Sequence, residues 1–333
     1  MPSQKPRHAS DICITIPIKN PDSRLGDCIR SISSQDINHD LCLLLISSGH
    51  KQNQLSSLIN EFTTNLRIFV ESIPPTTFQH GRTRNLAVTF VDAEYYVFLT
   101  QDAVPANTNW LRELIDPLLL DSDVAGSYSQ HIAHENHSIF RKSELEIFFS
   151  QLSTFSMASK DSLSHAKTQR ERDLITFFSN NSSCIRGSLF KHELPFPEVD
   201  FAEDQAWSVK AIEKGYKKAF SFNSVVRHSH ELNIRETFGR GIDEAKSFRV
   251  NHDRRIMEAN PLSILRSSFG LVYQDLRQIR GNDVWGLIKN PIFLAKQLAG
   301  RVSQSLGMYV GSSERLTKVF QSWSRDFGFK KGI

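Results

Sequence analysis

Residues 11–17 read DICITIP, a β-branched run that ends in Pro17, Lys19 and Asn20, and behind it Leu25, Cys28, Ile29 and Ile32 recur at helical spacing. The pattern predicts a strand, a loop and a helix. It repeats at once: LCLLLI at 41–46 is a continuous apolar run closed by Ser47, Ser48 and Gly49, and 55–62 follows with helical periodicity. Residues 66–70 predict a third strand, and Pro74 and Pro75 then break the chain. HGRTRN at 80–85 leads into a helical run over 86–92, and 95–99 is a fourth apolar strand ending at Thr100, Gln101 and Asp102. Uninterrupted apolar strands alternating with amphipathic helices indicate an α/β fold, a mostly parallel sheet flanked by helices on both faces, because such strands have no solvated side. Ligands of open α/β sheets gather beyond the carboxyl ends of the strands. Asn20, Ser47, Ser48 and Asp102 all fall there.

Further along, 109–120 predicts a helix, whereas 130–172 is polar and without clear period, as expected of a flexible or acceptor-facing insertion. Order returns over 180–190. After the loop around Pro195 and Pro197, Ala206, Val209 and Ile212 mark a helix over 203–215, with Gly215 as its C-terminal stop. A strand to Val226 precedes His228 and His230, and the chain beyond about 235 is helical, with Leu294, Leu298, Val302, Leu306 and Val310 in an i, i+4 ladder. The expected organisation is a disordered start at 1–10, an α/β domain over 11–235 and a helical C-terminal extension over 236–333.

Composition narrows the classes. A chain of 333 residues, 39% hydrophobic and 23% charged, can bury a sizeable core. Forty basic residues against 36 acidic leave a formal charge of +4, too small an excess to point to nucleic acid. No apolar run is long enough for a secretory signal or a membrane span, so a cytoplasmic location is expected. Cys13, Cys28, Cys42 and Cys184 form no CxxC pair, which predicts buried free thiols rather than zinc ligands or disulfides.

Several residues could carry chemistry. Asp102, at the tip of an apolar strand, offers a hard oxygen suited to magnesium or manganese, and as a lone residue it also suits a turn or helix N-cap. Arg84 and Asn85 precede a helix, where guanidinium and backbone N–H groups grip phosphate or simply face solvent. Glu203 and Asp204 open a helix, where acids also complement the dipole. His228 and His230 share one face of an extended segment and could complete a metal site or touch phosphate. His131, His134 and His137 have helical spacing but no carboxylate partner, so they predict a surface loop and not a zinc site.

Taken in this order, TIPIKN, HGRTRN, FLTQDAVP, SNNSSCIRGSLF, FAEDQAWSVKAIEKGY and VVRHSH resemble the family 2 glycosyltransferases, in particular the bacterial rhamnosyltransferase-like branch, closely from Ile14 to about Ser247 and more loosely in the tail. The resemblance implies a GT-A fold, an inverting mechanism, Mg²⁺ or Mn²⁺ and, in this branch, often dTDP-rhamnose as donor. It makes Asp102 the surviving acid of the Asp-x-Asp metal motif, with Thr100 in place of the first, and sets His228 or His230 near metal and diphosphate. Asp204 becomes the catalytic base and Glu203 its neighbour. Pro17, Asn20, Gln101, Arg84 and Asn85 fall on the donor side, and Asn181, Ser182 and Ser183 line the sugar and acceptor side. Where many members carry base-reading aspartates after the second strand, this chain has Ser47 and Ser48, whose hydroxyls both donate and accept and leave the base identity open.

The implied partner is a glycan or lipid-linked glycan acceptor of surface polysaccharide, with the tail in peripheral contact with the inner face of the membrane. The alternative is a non-catalytic scaffold that binds nucleotide sugar or glycan. The intact AEDQ and TQDA strings count against it.

Overall fold

The computed structural model describes residues 6–19, 23–49, 55, 59, 66–199, 202–251, 254–257, 260–278 and 291–324. Asn20 and most of the predicted helix at 55–62 lie outside the described residues; Leu55 and Ile59 are helical and buried. The chain divides into two compact units, one of Met1–His134 with Phe148–His228, the other of Glu135–Ile147 with Ser229–Ile333.

The first unit opens with β1 (His8–Ile18), α1 (Ser23–Ser33), β2 (Leu41–Ser48), β3 (Arg67–Ile73), α2 (His80–Asn85), α3 (Ala87–Phe90) and β4 (Val91–Leu99). It continues with β5 (Val104–Pro105), α4 (Trp110–Leu120), β6 (Val124–Ile132), α5 (Ile139–Leu152), β7 (Met157–Ala158), α6 (Lys160–Ser164) and α7 (Gln169–Thr176). The N-terminal part of α5 belongs to the second unit. The first unit closes with β8 (Ser182–Arg186), α8 (Gly187–His192), α9 (Glu203–Glu213) and β9 (Lys217–Arg227).

The sheet runs β3-β2-β1-β4-β8-β6-β9-β5, with β7 on β9. The predicted parallel half is present: β3, β2, β1 and β4 are parallel neighbours. The other half is mixed, because β8 enters antiparallel to both β4 and β6, and β5 and β7 lie antiparallel to β9. After β3 the chain returns to the far side of β1, so the order reverses between β1 and β4. That is a topological switch point, where α/β sheets bind ligands.

The core follows from the apolar pattern. Ile12, Ile14, Ile16 and Ile18 of β1 and Leu43 and Leu45 of β2 pack with Leu25, Cys28, Ile29 and Ile32 of α1 and with Trp110, Leu111, Leu114 and Leu118 of α4. Each such side chain fully removed from water contributes about 1.5–3 kcal/mol. Helix α4 continues through Pro117, which has no N–H for the carbonyl four residues back, Glu113. Ser221 Oγ donates to that carbonyl at 2.5 Å, so the buried acceptor is not orphaned. All four cysteines are free and buried, as expected.

Three local expectations are corrected. The helical run over 86–92 ends early, since α3 stops at Phe90 and Val91 already begins β4. The segment 130–172 is not irregular: β6 reaches Ile132, and α5, β7, α6 and α7 follow. Helices α6 and α7 escaped the apolar pattern because they are short and start on capping boxes, Ser159 with Ser162 and Thr168 with Glu171. His131 is on β6 and buried, not on a surface loop. Gly215 does close α9, with φ 95° and Tyr216 N–H bonded to the Ala211 carbonyl at 3.0 Å.

The second unit contains α10 (Ile234–Asn251), α11 (Pro261–Gln278), α12 (Pro291–Gly311) and α13 (Glu314–Val319). The ladder from Leu294 to Val310 is not its packing stripe. A line of i, i+4 positions drifts about 40° per step, about 160° over four steps, so Val310 is buried while Leu298 and Leu306 are exposed. Close packing of α12 on α10 depends instead on small residues. A Cβ on Gly307 would collide with the Phe238 carbonyl, and one on Gly241 would stand 2.6 Å from the Gln304 carbonyl. Arg301 grips Asp275 of α11 through two bonds of 2.7 and 2.6 Å. None of the described helices is long and apolar enough to cross a membrane.

Candidate active site

The ends of β1 and β4 are tied together at the switch point, where Gln101 Oε1 accepts the Lys19 backbone N–H at 3.0 Å. Pro17 is buried on β1 beside Ile46. Ser47 and Ser48 end β2 and are buried, and Gly49, at φ 83°, turns the chain away. The Ser48 hydroxyl and the Thr100 hydroxyl are both buried with no hydrogen-bond partner among the described residues. A buried hydroxyl left unmatched costs on the order of 1–3 kcal/mol, so both are suited to meeting polar ligand groups.

Asp102 follows β4 in a turn, which excludes the N-cap alternative at this position. One carboxylate oxygen is 3.6 Å from His228 Nε2 and the other 3.9 Å from Arg24 Nη1. His230 is two residues further along the segment leaving β9 and falls in the second unit. A ligand atom of Asp102 and one of His228 lie within 4.8 Å of each other, and a carboxylate with an imidazole suits a divalent cation. His228 Nδ1 stands 3.3 Å from Asn181 Nδ2, a contact that ties the ring to the segment entering β8. His131 packs edge-on against His228 with centroids 5.6 Å apart, and burial together with that neighbour holds it neutral, far below the usual histidine range.

A second cluster forms at the start of α9. Ala202 turns the chain into the helix with φ 59° and ψ 40°, a left-handed conformation costly for a residue with a Cβ. Glu203 Oε1 then accepts Arg84 Nη1 at 2.7 Å and Asn180 Nδ2 at 3.3 Å. Asp204 accepts the Asn180 backbone N–H at 3.1 Å and that of Gln205 at 2.8 Å. Burial, then the Glu203 charge, push the Asp204 carboxyl up to about 7, while Glu203 is held low because Arg84 and His80 outweigh its own burial. A carboxyl that ionises near neutrality suits a general base.

The rest of HGRTRN supports this cluster. Asn85 clasps the Phe196 backbone in both directions at 2.9 Å, Arg82 pairs with Glu198 at 2.7 Å, and a Cβ on Gly81 would meet the Pro197 carbonyl. The string thereby docks α2 on the Pro-punctuated loop that delivers Glu203 and Asp204.

Asn180 and Asn181 join the two clusters. The first reaches both carboxylates, while the second reaches His228 and accepts the Thr100 N–H through its carbonyl at 3.3 Å. The resemblance singled out Asn181, Ser182 and Ser183 from their string. Asn180 and the half-buried His80 were missed, and the sole signal for Asn180 was its place beside Asn181.

The sequence profile described as Glycosyl transferase family 2 matches residues 13–181, just over half of the chain. The chain belongs to glycosyl transferase family 2. It is similar to the O-antigen chain rhamnosyltransferase RfbN of Salmonella typhimurium, 29% identical over 308 residues, 90% of this chain and 89% of that protein. It is also similar to the O-antigen chain rhamnosyltransferase WbaN of Salmonella anatum, 28% identical over 80% of this chain and 79% of that one. Among solved structures it resembles the mannosyltransferase PcManGT from Pyrobaculum calidifontis in complex with GDP-Man and Mn²⁺, with a TM-score of 0.59 and 14% identity over 96% of this chain and 89% of that one. S. aureus TarS 1-349 aligns with a TM-score of 0.51 and 13% identity over 91% and 90% of the two chains. These neighbours show the GT-A fold, and the family makes this chain a glycosyltransferase.

Proposed function

We propose that this glycosyltransferase moves a rhamnosyl residue from dTDP-rhamnose, with inversion, onto a glycan or lipid-linked glycan acceptor of surface polysaccharide at the cytoplasmic face of the membrane. The observation that carries the catalytic part is the half-buried Asp204, with a carboxyl poised near neutrality and joined through Asn180 and Asn181 to the Asp102–His228 pair. The sugar and acceptor are supported by the names of the relatives at 28–29% identity.

In this reading Asp102 and His228 hold the divalent cation, Mn²⁺ or Mg²⁺. The bound cation would neutralise the departing diphosphate. Pro17, Ser47, Ser48 and Gln101 would form the donor side, with serine hydroxyls offered to the base. Asp204 takes the proton of the acceptor hydroxyl as that oxygen attacks the anomeric carbon, and a single in-line displacement inverts the configuration. Arg84 serves through its charge on Glu203, and Asn85 through its clasp on the preceding loop.

The test is release of nucleoside diphosphate from a panel of nucleotide sugars with acceptor glycan, in Mn²⁺, in Mg²⁺ and in chelator. Turnover of dTDP-rhamnose, supported by a divalent cation and lost with chelator, is expected. Turnover of a uridine or guanosine diphosphate hexose instead would overturn the donor assignment. Silence across the panel without donor binding by calorimetry would favour the scaffold.

Membrane contact is assigned to α11. Its outer face carries exposed Leu262, Leu265, Phe269 and Tyr273 flanked by exposed Arg266 and Arg277, while its one acid, Asp275, is buried on Arg301. An apolar stripe edged only by cations matches an anionic bilayer surface. Phe269→Glu with Tyr273→Glu is expected to cut co-sedimentation with phosphatidylglycerol vesicles by about 10-fold or more while leaving donor turnover in solution unchanged. Undiminished sedimentation would remove α11 from this role.

A further inference from the structure

The two adjacent carboxylates at the start of α9 receive opposite treatment. Glu203 is paired with Arg84 at 2.7 Å, with side chains only 8% and 3% exposed, and Asn180 Nδ2 adds a bond to the same oxygen. Asp204 is given two backbone N–H groups instead. One buried cation thus stands beside two acids, the buried Glu203 and the half-buried Asp204, and it closes on Glu203. Charge balance then decides which acid keeps its proton. Glu203, paired with Arg84, stays ionised, and Asp204, facing that like charge, ionises last.

We propose that Glu203 is a positioning residue for the reaction: fixed by Arg84 and Asn180, it holds a like charge beside the base, and through the shared Asn180 it aims the Asp204 carboxylate. This rests on the reading of Asp204 as the base. Arg84 does not act as a donor ligand in this arrangement. The geometry supports the coupling independently of any titration, since Asn180 binds Glu203 through its side-chain amide and Asp204 through its main-chain N–H, and Ser183 Oγ holds the Asn180 carboxamide oxygen at 2.8 Å. The charged and titratable neighbours are few. Glu203 and Arg84 act on Asp204, while His80, half-buried and with its pKa lowered by desolvation, faces Glu203 and is itself faced by Lys19.

A plain structural clasp between α2 and α9 would have a different signature. Losing it would lower the melting temperature and the overall rate, and the pH at which activity rises would stay where it was. Glu203→Gln keeps the shape and an acceptor oxygen for Arg84 but removes the like charge. The acid limb of its kcat/KM profile is expected about one pH unit or more below that of the parent. Arg84→Lys keeps a cation without the guanidinium fork, and its limb should stay within a few tenths of a unit of the parent's. If Glu203→Gln folds poorly, Glu203→Asp, which keeps the charge on a shorter arm, provides a second arm: the limb should hold while kcat falls.

The decisive experiment follows the Asp204 carboxyl directly, by carbon NMR of full-length protein labelled at aspartate, with Asp204→Asn to assign the signal, alongside the rate profile. A carboxyl titration and a rate limb that move down together in Glu203→Gln would support the proposal. A titration that does not move would overturn it and leave the base assignment standing. A titration that moves while the rate limb stays would overturn Asp204 as the base and, with it, the role assigned to Glu203.

Discussion

Asp204→Asn is expected to lower kcat by about 10²- to 10⁴-fold, the share of rate that a positioned general base supplies, while donor affinity measured by calorimetry stays close to that of the parent. The carboxyl sits near 7 because of burial and then Glu203, against the pull of the Asn180 N–H, Arg84 and the Gln205 N–H. A base works only when ionised, so kcat/KM of the parent should fall about tenfold per pH unit below about 7 and level off above it. The variant should lack that limb. The same raised pKa makes a statement about stability. A folded carboxyl that binds its proton up to about 7, against about 3.9 in the unfolded chain, contributes stability that is full below about pH 4 and lost as pH rises through about 7. Asparagine cannot ionise, so the melting temperature of the variant relative to the parent should be higher at pH 8 than at pH 5. An equal difference at the two pH values would mean that Asp204 does not titrate in this range, and near-parental turnover would take it out of the catalytic role.

How much of this was legible in the sequence divides by the kind of information involved. The parallel half of the sheet was, because DICITIP and LCLLLI are apolar without interruption and only a strand covered on both faces has that composition. The mixed half was not: β8 is the five-residue SSCIR, and nothing in its composition says that it enters antiparallel between β4 and β6. The site strings were found, but their division of labour was not. HGRTRN carries the residue types of a phosphate grip, and the contacts that commit Gly81, Arg82, Arg84 and Asn85 come from Glu198, Phe196, Pro197 and Glu203, more than a hundred residues away. Periodicity reports which face of an element is apolar, and these contacts are polar and distant in sequence. The histidine triple fails for a related reason. HIAHENH looks solvated by composition, yet His131 falls on an inward position of β6 because the strand alternation carries past Tyr128 and Ser129.

Removing the Asp102 carboxylate charge should be the other large effect. Asp102→Asn and His228→Gln are each expected to lower kcat/KM by about 10²- to 10³-fold in Mn²⁺, the range seen when one electrostatic stabiliser of developing charge is lost. For Asp102→Asn, raising the manganese concentration should restore part of the loss, because a ligand set short of one charge binds the same ion more weakly. The two changes made together should cost far less than the product of their separate effects, since both act through one ion. Arg24 supplies a sharp contrast. Its guanidinium stands 3.9 Å from Asp102, so a carboxylate that merely orients a protein cation toward the diphosphate would give the same single-variant losses. In that case the Asp102→Asn loss would be equal in manganese and in chelator, Arg24→Met would reproduce it, and no metal concentration would rescue either. A loss confined to metal-containing buffer, with Arg24→Met nearly silent, would instead assign the cation to the protein's own Asp102–His228 pair and make the change of Asp-x-Asp to Thr-x-Asp intelligible: with the His228 imidazole beside the surviving carboxylate, the first acid is no longer needed to hold the ion.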